Sequence, residues 1–189
     1  MIVRENPTHP AEIVGEVAAT DVAGVEAAVE RADAAQRSWR AVPAVERAEA
    51  LRRAADVAEP LVAELATLLA REMGKPLADA NGEIGFSLMF ARYVADNIDA
   101  IADEYLDDAA GRMLLQKVPF GVVAAITPWN APAILSMLKV APAIAGGNAI
   151  VVKPSPLAPL AVTRLYAAMA AVLPDGLLQV IHGDAEAGS

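Results

Sequence analysis

The sequence contains no cysteine, which excludes a disulfide framework and thiolate metal sites. Aromatic residues make up only 4% of it against 56% hydrophobic residues overall, so Ala, Val and Leu must build the core. That composition favours helices packed closely on a sheet over an aromatic-lined binding module. Basic residues are outnumbered, 15 to 24, and the net charge of -9 repels a phosphate backbone, so no nucleic-acid partner is expected. Otherwise the acidity speaks to solubility. Only two histidines occur, His9 and His182, and neither belongs to a Ser-His-Asp pattern. The longest low-charge stretch, residues 131–152, carries Lys139, Asn148, Pro132, Pro142 and Gly146-Gly147. It therefore reads as buried α/β core, and no membrane association is expected. The start, Met1-Ile2-Val3-Arg4-Glu5-Asn6, lacks the charged-then-apolar pattern of a secretory signal, so a cytoplasmic protein is expected.

What is present falls into two parts. Residues 1–19 alternate weakly, as in Glu12-Ile13-Val14-Gly15-Glu16-Val17, and suggest a hairpin or an edge arm. Thr20 or Asp21 offers an N-cap to a helix with Val22, Val25, Val29, Ala32 and Trp39 at helical spacing. A second helix is predicted over 45–58 and a third opening at Pro60, with Leu61, Leu65 and Leu68 on one face. Gly74-Lys75-Pro76 is a stop signal. A long helix follows, with Ile84, Leu88, Ala91, Val94, Ile98 and Ile101 sharing a face. After Asp107-Asp108-Ala109-Ala110-Gly111 the pattern changes. A strand is predicted at 113–118, then strands at 122–126, 149–152 and 177–181, separated by helices at 132–145 and 159–172. The short apolar run 122–126 suits a strand buried on both faces. The β-α-β-α-β alternation implies an α/β fold: a helical layer followed by part of a doubly wound, parallel, Rossmann-like sheet.

In such a sheet ligands bind at the carboxyl ends of the strands. Here those ends carry Thr127-Pro128-Trp129-Asn130, Lys153-Pro154-Ser155-Pro156 and His182-Gly183-Asp184. They bring a cation, an amide, hydroxyls and an indole to one edge. No GxGxxG fingerprint is present. From spacing alone this is either a dinucleotide crevice or a set of ordinary loops, which fall at the same place.

The residues themselves decide further. The series Pro119-Phe120-Gly121-Val122-Val123, Ile126-Thr127-Pro128-Trp129-Asn130-Ala131-Pro132, Lys139-Val140-Ala141-Pro142-Ala143, Gly147-Asn148 and Val151-Val152-Lys153-Pro154-Ser155 resembles the NAD(P)-dependent aldehyde dehydrogenase superfamily. Arg71-Glu72-Met73-Gly74-Lys75-Pro76-Leu77 is similar to that family's Glu-x-Gly-Lys-Pro segment, and Trp39 and Gly183-Asp184 fit the same alignment. The resemblance runs from about Asn6 to Ser189 and covers well under half of a family member, its amino-terminal part.

The resemblance implies an oxidoreductase that converts an aldehyde to a carboxylic acid with NAD or NADP through a cysteine thiohemiacetal. It implies that Asn130 donates from its side chain to the oxyanion; a plain turn asparagine is the alternative. It implies that Lys153 reaches the adenosine ribose or a 2′-phosphate, and that Ile126, Thr127, Pro128, Trp129, Asn130, Ser155 and Pro156 line the cofactor. Trp129 could equally be a core aromatic. Lys139 matches a lysine with a supporting or proton-relay role, or else packs its stem and pairs its head. Gly183 and Gly188 match glycines of the loop near the cofactor, or serve simple turns. Residues 1–106 and 119–189 are expected to form the first part of the dinucleotide-binding domain. Residues 107–118 are expected to form part of an oligomerisation hairpin, with the catalytic domain absent. The expected partners are a small aldehyde and, at full length, further copies of the chain as a dimer or tetramer.

Three departures from the pattern matter. No cysteine nucleophile is present, and the general-base glutamate is expected beyond residue 189. Pro156 stands where many members have a glutamate that binds the ribose hydroxyls of NAD, which predicts a lean to NADP. Ala131 stands where many carry a bulky aromatic, which hints at a wider substrate pocket. The leading reading is therefore a fragment of such an enzyme, inactive alone. The alternative is a catalytically inactive short paralogue that binds dinucleotide or a partner.

Overall fold

The computed structural model describes residues 1–109 and 111–188; Ala110, in the stretch after which the sequence pattern changes, and Ser189, the last residue of the resemblance, lie outside the described residues. The chain opens with an antiparallel hairpin of β1 (Ile2–Asn6) and β2 (His9–Val17). Asp21 caps α1 (Val22–Trp39), its carboxylate accepting the Gly24 N–H at 2.8 Å. Thr20 does something else. Its N–H donates to the His182 carbonyl at 2.8 Å, and its hydroxyl oxygen accepts the His182 N–H at 3.0 Å. That fastens the start of α1 to a distant strand end.

Helix α2 (Ala44–Ala58) buries an almost pure alanine face of Ala48, Leu51, Ala54, Ala55 and Ala58. After a 3₁₀ turn at Glu59–Leu61, α3 (Val62–Met73) ends at Gly74, whose φ of 75° gives the left-handed cap that glycine adopts without strain. Helix α4 (Leu77–Asp96) buries Ala80, Ile84, Leu88, Ala91 and Ala95. The face predicted to continue to Ile101 stops at Asn97, which folds its amide back onto the Tyr93 carbonyl at 2.8 Å, and Ile98–Ile101 form a 3₁₀ turn.

A second antiparallel hairpin follows, of β3 (Glu104–Asp108) and β4 (Gly111–Leu115). The expected strand at 113–118 thus begins earlier and ends at Leu115, and Asp107 and Asp108 already lie in a strand before it. The reason is cross-strand. Asp107 pairs with Arg112 in register and their charges meet at 3.0 Å, while the Arg112 guanidinium lies 5.6 Å from the centre of the Tyr105 ring.

The parallel sheet has the order β5 (Val122–Ile126), β6 (Ala149–Lys153), β7 (Leu178–Val180). Helices α5 (Pro132–Ala145) and α6 (Leu160–Ala170) make the two crossovers. Right-handed crossovers with the strands added in one direction place both helices on the same face; α1 packs against all three strands. Helices α2, α3 and α4 form a layer beyond α5 and α6. Strand β6 is buried throughout. Strand β5 is not buried on both faces as expected: Ala124 and Ile126 are exposed, because among the described residues it is an edge strand that the helices cover only in part. The carboxyl-terminal turn of α5 is tied down from α1 and α2. Trp39 donates its indole N–H to the Ile144 carbonyl at 2.8 Å, Gln36 donates to Gly147 at 3.1 Å, and Arg47 donates to Ala145 at 2.8 Å. These bonds satisfy carbonyls that a helix end leaves open.

Candidate active site

The three strand ends converge. The Thr127 N–H donates to the Lys153 carbonyl at 3.1 Å, which carries the β5–β6 ladder one step past the strands. The Lys153 ammonium donates to the Gly183 carbonyl at 2.7 Å, joining β6 to the segment after β7. Lys153 is buried in this arrangement, and its ammonium has donors beyond the one it gives Gly183.

Gly188 lies across the same place. A Cβ there would stand 3.0 Å from Lys153 Cε and 3.6 Å from Ile126 Cδ1. A Cβ on Gly183 would stand 2.3 Å from the Ala187 Cβ, so the return of the chain over the strand ends needs glycine at 183. The structure therefore brings Ile126, Thr127, Lys153, Gly183 and Gly188 together. Ile126 and Trp129 are more than half exposed and Pro128 and Asn130 are exposed, so this rim presents side chains outward. Trp129 is therefore not a core aromatic. Ser155 accepts the Leu157 N–H on its hydroxyl at 3.2 Å and the Ala158 N–H on its carbonyl at 3.1 Å, which shapes the turn after β6; Pro156 is half-buried in that turn.

Lys139 stands apart from this group. It is exposed on α5, and its ammonium donates to the Leu135 carbonyl one turn back on the same helix at 3.2 Å.

Two buried polar atoms at the strand ends have no hydrogen-bond partner among the described residues: the Thr127 hydroxyl and His182 Nδ1. Orphaned polar atoms in a buried position call for an explanation, and a bound polar ligand is one. Burial, aided by the nearby Lys153 charge, pushes the His182 pKa below its usual value, which favours the uncharged ring. A buried cation, orphaned hydroxyl and ring nitrogen, and glycines that let the backbone approach closely are a donor set that suits the phosphate and ribose groups of a dinucleotide. A separate cavity of about 720 Å³ lies beside the end of β7, lined by Met1, Thr20, Asp21, Val25, Gly183 and Asp184 among others; Asn130 and Lys153 do not line it.

The turn from β5 into α5 is held by two residues whose part in it sequence reasoning missed. The Lys75 ammonium donates to the Asn130 carbonyl at 3.0 Å and pairs with the Glu83 carboxylate. The other Glu83 oxygen accepts the Ala133 N–H at 2.8 Å. In the sequence Lys75 is legible as part of a helix stop and of the Glu-x-Gly-Lys-Pro segment, with no role at this turn. For Glu83 the available signal was its position on the buried face of α4, three residues from Ala80 and beside Ile84.

A parallel half-sheet with a polar, glycine-crossed rim at its carboxyl edge defines a dinucleotide-type α/β unit. The aldehyde dehydrogenase family model matches residues 2–189, and the chain belongs to that family. It is 39% identical to the glutarate-semialdehyde dehydrogenase of Pseudomonas putida over 188 residues, covering 94% of this chain and 38% of that one. It is 42% identical to a succinate-semialdehyde dehydrogenase of Paenarthrobacter nicotinovorans, covering 86% of this chain and 37% of that one. Among solved structures it superposes on the NADP-dependent glyceraldehyde-3-phosphate dehydrogenase of Bacillus halodurans, complexed with NADP, with a TM-score of 0.91 at 30% identity, covering 97% of this chain and 40% of that one. The chain thus spans about 38% of the length of the curated relatives it matches. No described helix is long and apolar enough to cross a membrane.

Proposed function

We propose that this chain supplies the first half of the dinucleotide site and the oxyanion-stabilising turn of an enzyme that oxidises a small aldehyde to its acid with NAD(P)+. The semialdehyde chemistry in the names of its relatives makes a short ω-carboxy aldehyde the favoured substrate class. The observation that carries this reading is the meeting of the Asn130 turn with Lys153 at one sheet edge, through the Thr127 N–H to Lys153 carbonyl bond. Lys153, Thr127, Ser155, Gly183 and Gly188 would hold the dinucleotide, and when bound it supplies the hydride acceptor.

Asn130 offers a side-chain N–H donor. As a thiolate adds to the aldehyde carbon, the carbonyl oxygen gains an electron pair, and the Asn130 donor stabilises that charge in the thiohemiacetal. The thiolate is not from this sequence, which has no cysteine; it belongs to the remaining length that the relatives possess. The chain taken alone is then inactive. Lys139, with its ammonium turned back onto α5, is assigned no proton-relay step in this arrangement. Pro156 places no carboxylate where one would repel a 2′-phosphate, which favours NADP. The β3–β4 hairpin, with Tyr105, Leu106, Met113 and Leu114 exposed, is the surface proposed to pair subunits.

One observation favours a second reading, a non-catalytic protein that binds dinucleotide or a partner: the sequence has no cysteine at all. Intact mass of the protein from its native source separates the two, together with an assay of aldehyde-dependent NAD(P)H formation. A mass more than twice 19.6 kDa with activity on a semialdehyde is expected. A mass of 19.6 kDa with dinucleotide binding and no turnover would overturn the enzymatic reading in favour of the second.

A further inference from the structure

We propose that Lys75 and Glu83 are positioning residues for Asn130, acting as a clamp on the turn that carries it. The inference rests on the reading of Asn130 as the oxyanion donor. Helix α5 has no cap of its own. Ala131 occupies its N-cap position without a side-chain acceptor, and Pro132 in the first turn has no N–H, so Ala133 offers the first free donor. Glu83 takes that donor from α4, with its carboxylate 3% exposed against the positive end of the α5 dipole. Its second oxygen holds the Lys75 ammonium, which in turn donates to the Asn130 carbonyl.

The result is a closed ring: Asn130 carbonyl, Lys75, Glu83, Ala133 N–H. It spans the four residues from 130 to 133 and anchors one end of them to Glu83 on α4 and the other to Lys75, just before that helix. Lys75 sits between Gly74, which takes the left-handed φ of 75°, and Pro76, whose ring fixes φ at -52°. A cap for α5 alone would need only Glu83. A lysine with 16% side-chain exposure that also grips the Asn130 carbonyl fixes the backbone of the residue whose side chain is exposed at the rim. A catalytic donor works only within a narrow range of positions, and a displacement of about 1 Å can cost about 10²-fold in rate.

The test is a double-mutant cycle on kcat in the full-length active enzyme, with amide hydrogen exchange over residues 127–135 measured on the same variants. Lys75→Met is expected to lower kcat by up to about 10²-fold while the KM for dinucleotide holds, and to speed exchange in that segment alone. Lys75→Arg, which keeps the charge and a donor, should recover most of the rate. In an Asn130→Ala background Lys75→Met should have little further effect on kcat, because the donor it positions is gone. Should Lys75→Met lower kcat equally in both backgrounds, or leave it unchanged in the wild type, the clamp is refuted while the Asn130 reading stands. Should Asn130→Ala itself keep full kcat, the reading of Asn130 fails first, and the clamp with it. Global loosening of exchange in Lys75→Met would show a folding defect, and Glu83→Gln then decides. It keeps an acceptor for the Ala133 N–H but not the ion pair, and must lower kcat with the rest of the chain protected for the proposal to survive.

Discussion

Glu72 is a fully buried carboxylate on α3, and its protonation ties stability to pH. Its two oxygens accept the N–H groups of Leu160 and Ala161 at 2.8 and 2.9 Å, capping α6 from another element, since Pro159 provides no side-chain cap. Burial pushes its pKa up from 4.5 to about 7, against the lowering pull of those two N–H groups and of Arg4. Between pH 4.5 and about 7 the folded protein keeps a proton that the unfolded chain has lost. Stability must therefore fall as pH rises through that window and level off above it. The size of the shift corresponds to a contribution of about 3 kcal/mol. Glu72→Gln removes the titration while keeping an acceptor for one N–H. Urea unfolding of the two proteins from pH 4 to pH 8 isolates the effect, because His182 titrates in both and cancels. The wild type should lose about 3 kcal/mol relative to Glu72→Gln across the range, most of it below pH 7. Parallel curves would refute the burial argument. A wild type that gains relative stability as pH rises would mean that the two N–H groups outweigh burial and hold the carboxyl low.

Other outcomes follow from single contacts. The buried Tyr166 hydroxyl donates to Ser136 at 2.6 Å, so Tyr166→Phe should cost about 1 kcal/mol, Ser136→Ala about 2 kcal/mol, and the pair less than the sum, as read by denaturant unfolding. Gly176 has φ 79° and a Cβ there would lie 2.8 Å from the Arg31 carbonyl oxygen, so Gly176→Ala should destabilise by about 2 kcal/mol or more in the same assay. Pro156→Glu should lower the NADP-to-NAD ratio of kcat/KM by about tenfold, a difference of about 1.4 kcal/mol, in steady-state assays of the full-length enzyme. Leu114→Glu on the exposed hairpin should weaken self-association in sedimentation velocity; an unchanged assembly would remove the hairpin from the subunit contact.

Most of the fold was legible because it rests on local signals. The Asp21 cap, the Gly74 stop, the Pro132 helix start and the apolar run of β6 each announce an element within a few residues. What was not legible depends on partners far along the chain. Strand β3 was not read from the sequence, because the arginine that pairs with Asp107 lies on the strand opposite. The partial exposure of β5 follows from its edge position, which its apolar composition does not reveal. At the site, topology placed Thr127, Lys153 and Gly183 at the strand ends, the resemblance added Ile126 and Gly188, and the five lie together. The supporting carboxylates were missed, although both left a trace. Glu72 follows Leu65 and Leu69 on the buried face of α3, and Glu83 shares the buried face of α4 with Ala80 and Ser87. A carboxylate in apolar register needs donors, and here the donors are the amino ends of α6 and α5.

The reading of the site as an oxyanion-stabilising turn beside a dinucleotide crevice stands or falls on Asn130. Its replacement by alanine in the full-length enzyme, followed by steady-state kinetics with a semialdehyde and by titration of dinucleotide binding, is the most direct measurement. A fall in kcat of about 10²–10³-fold, with far smaller change in dinucleotide affinity, is the predicted result. A variant that keeps its full kcat would contradict it.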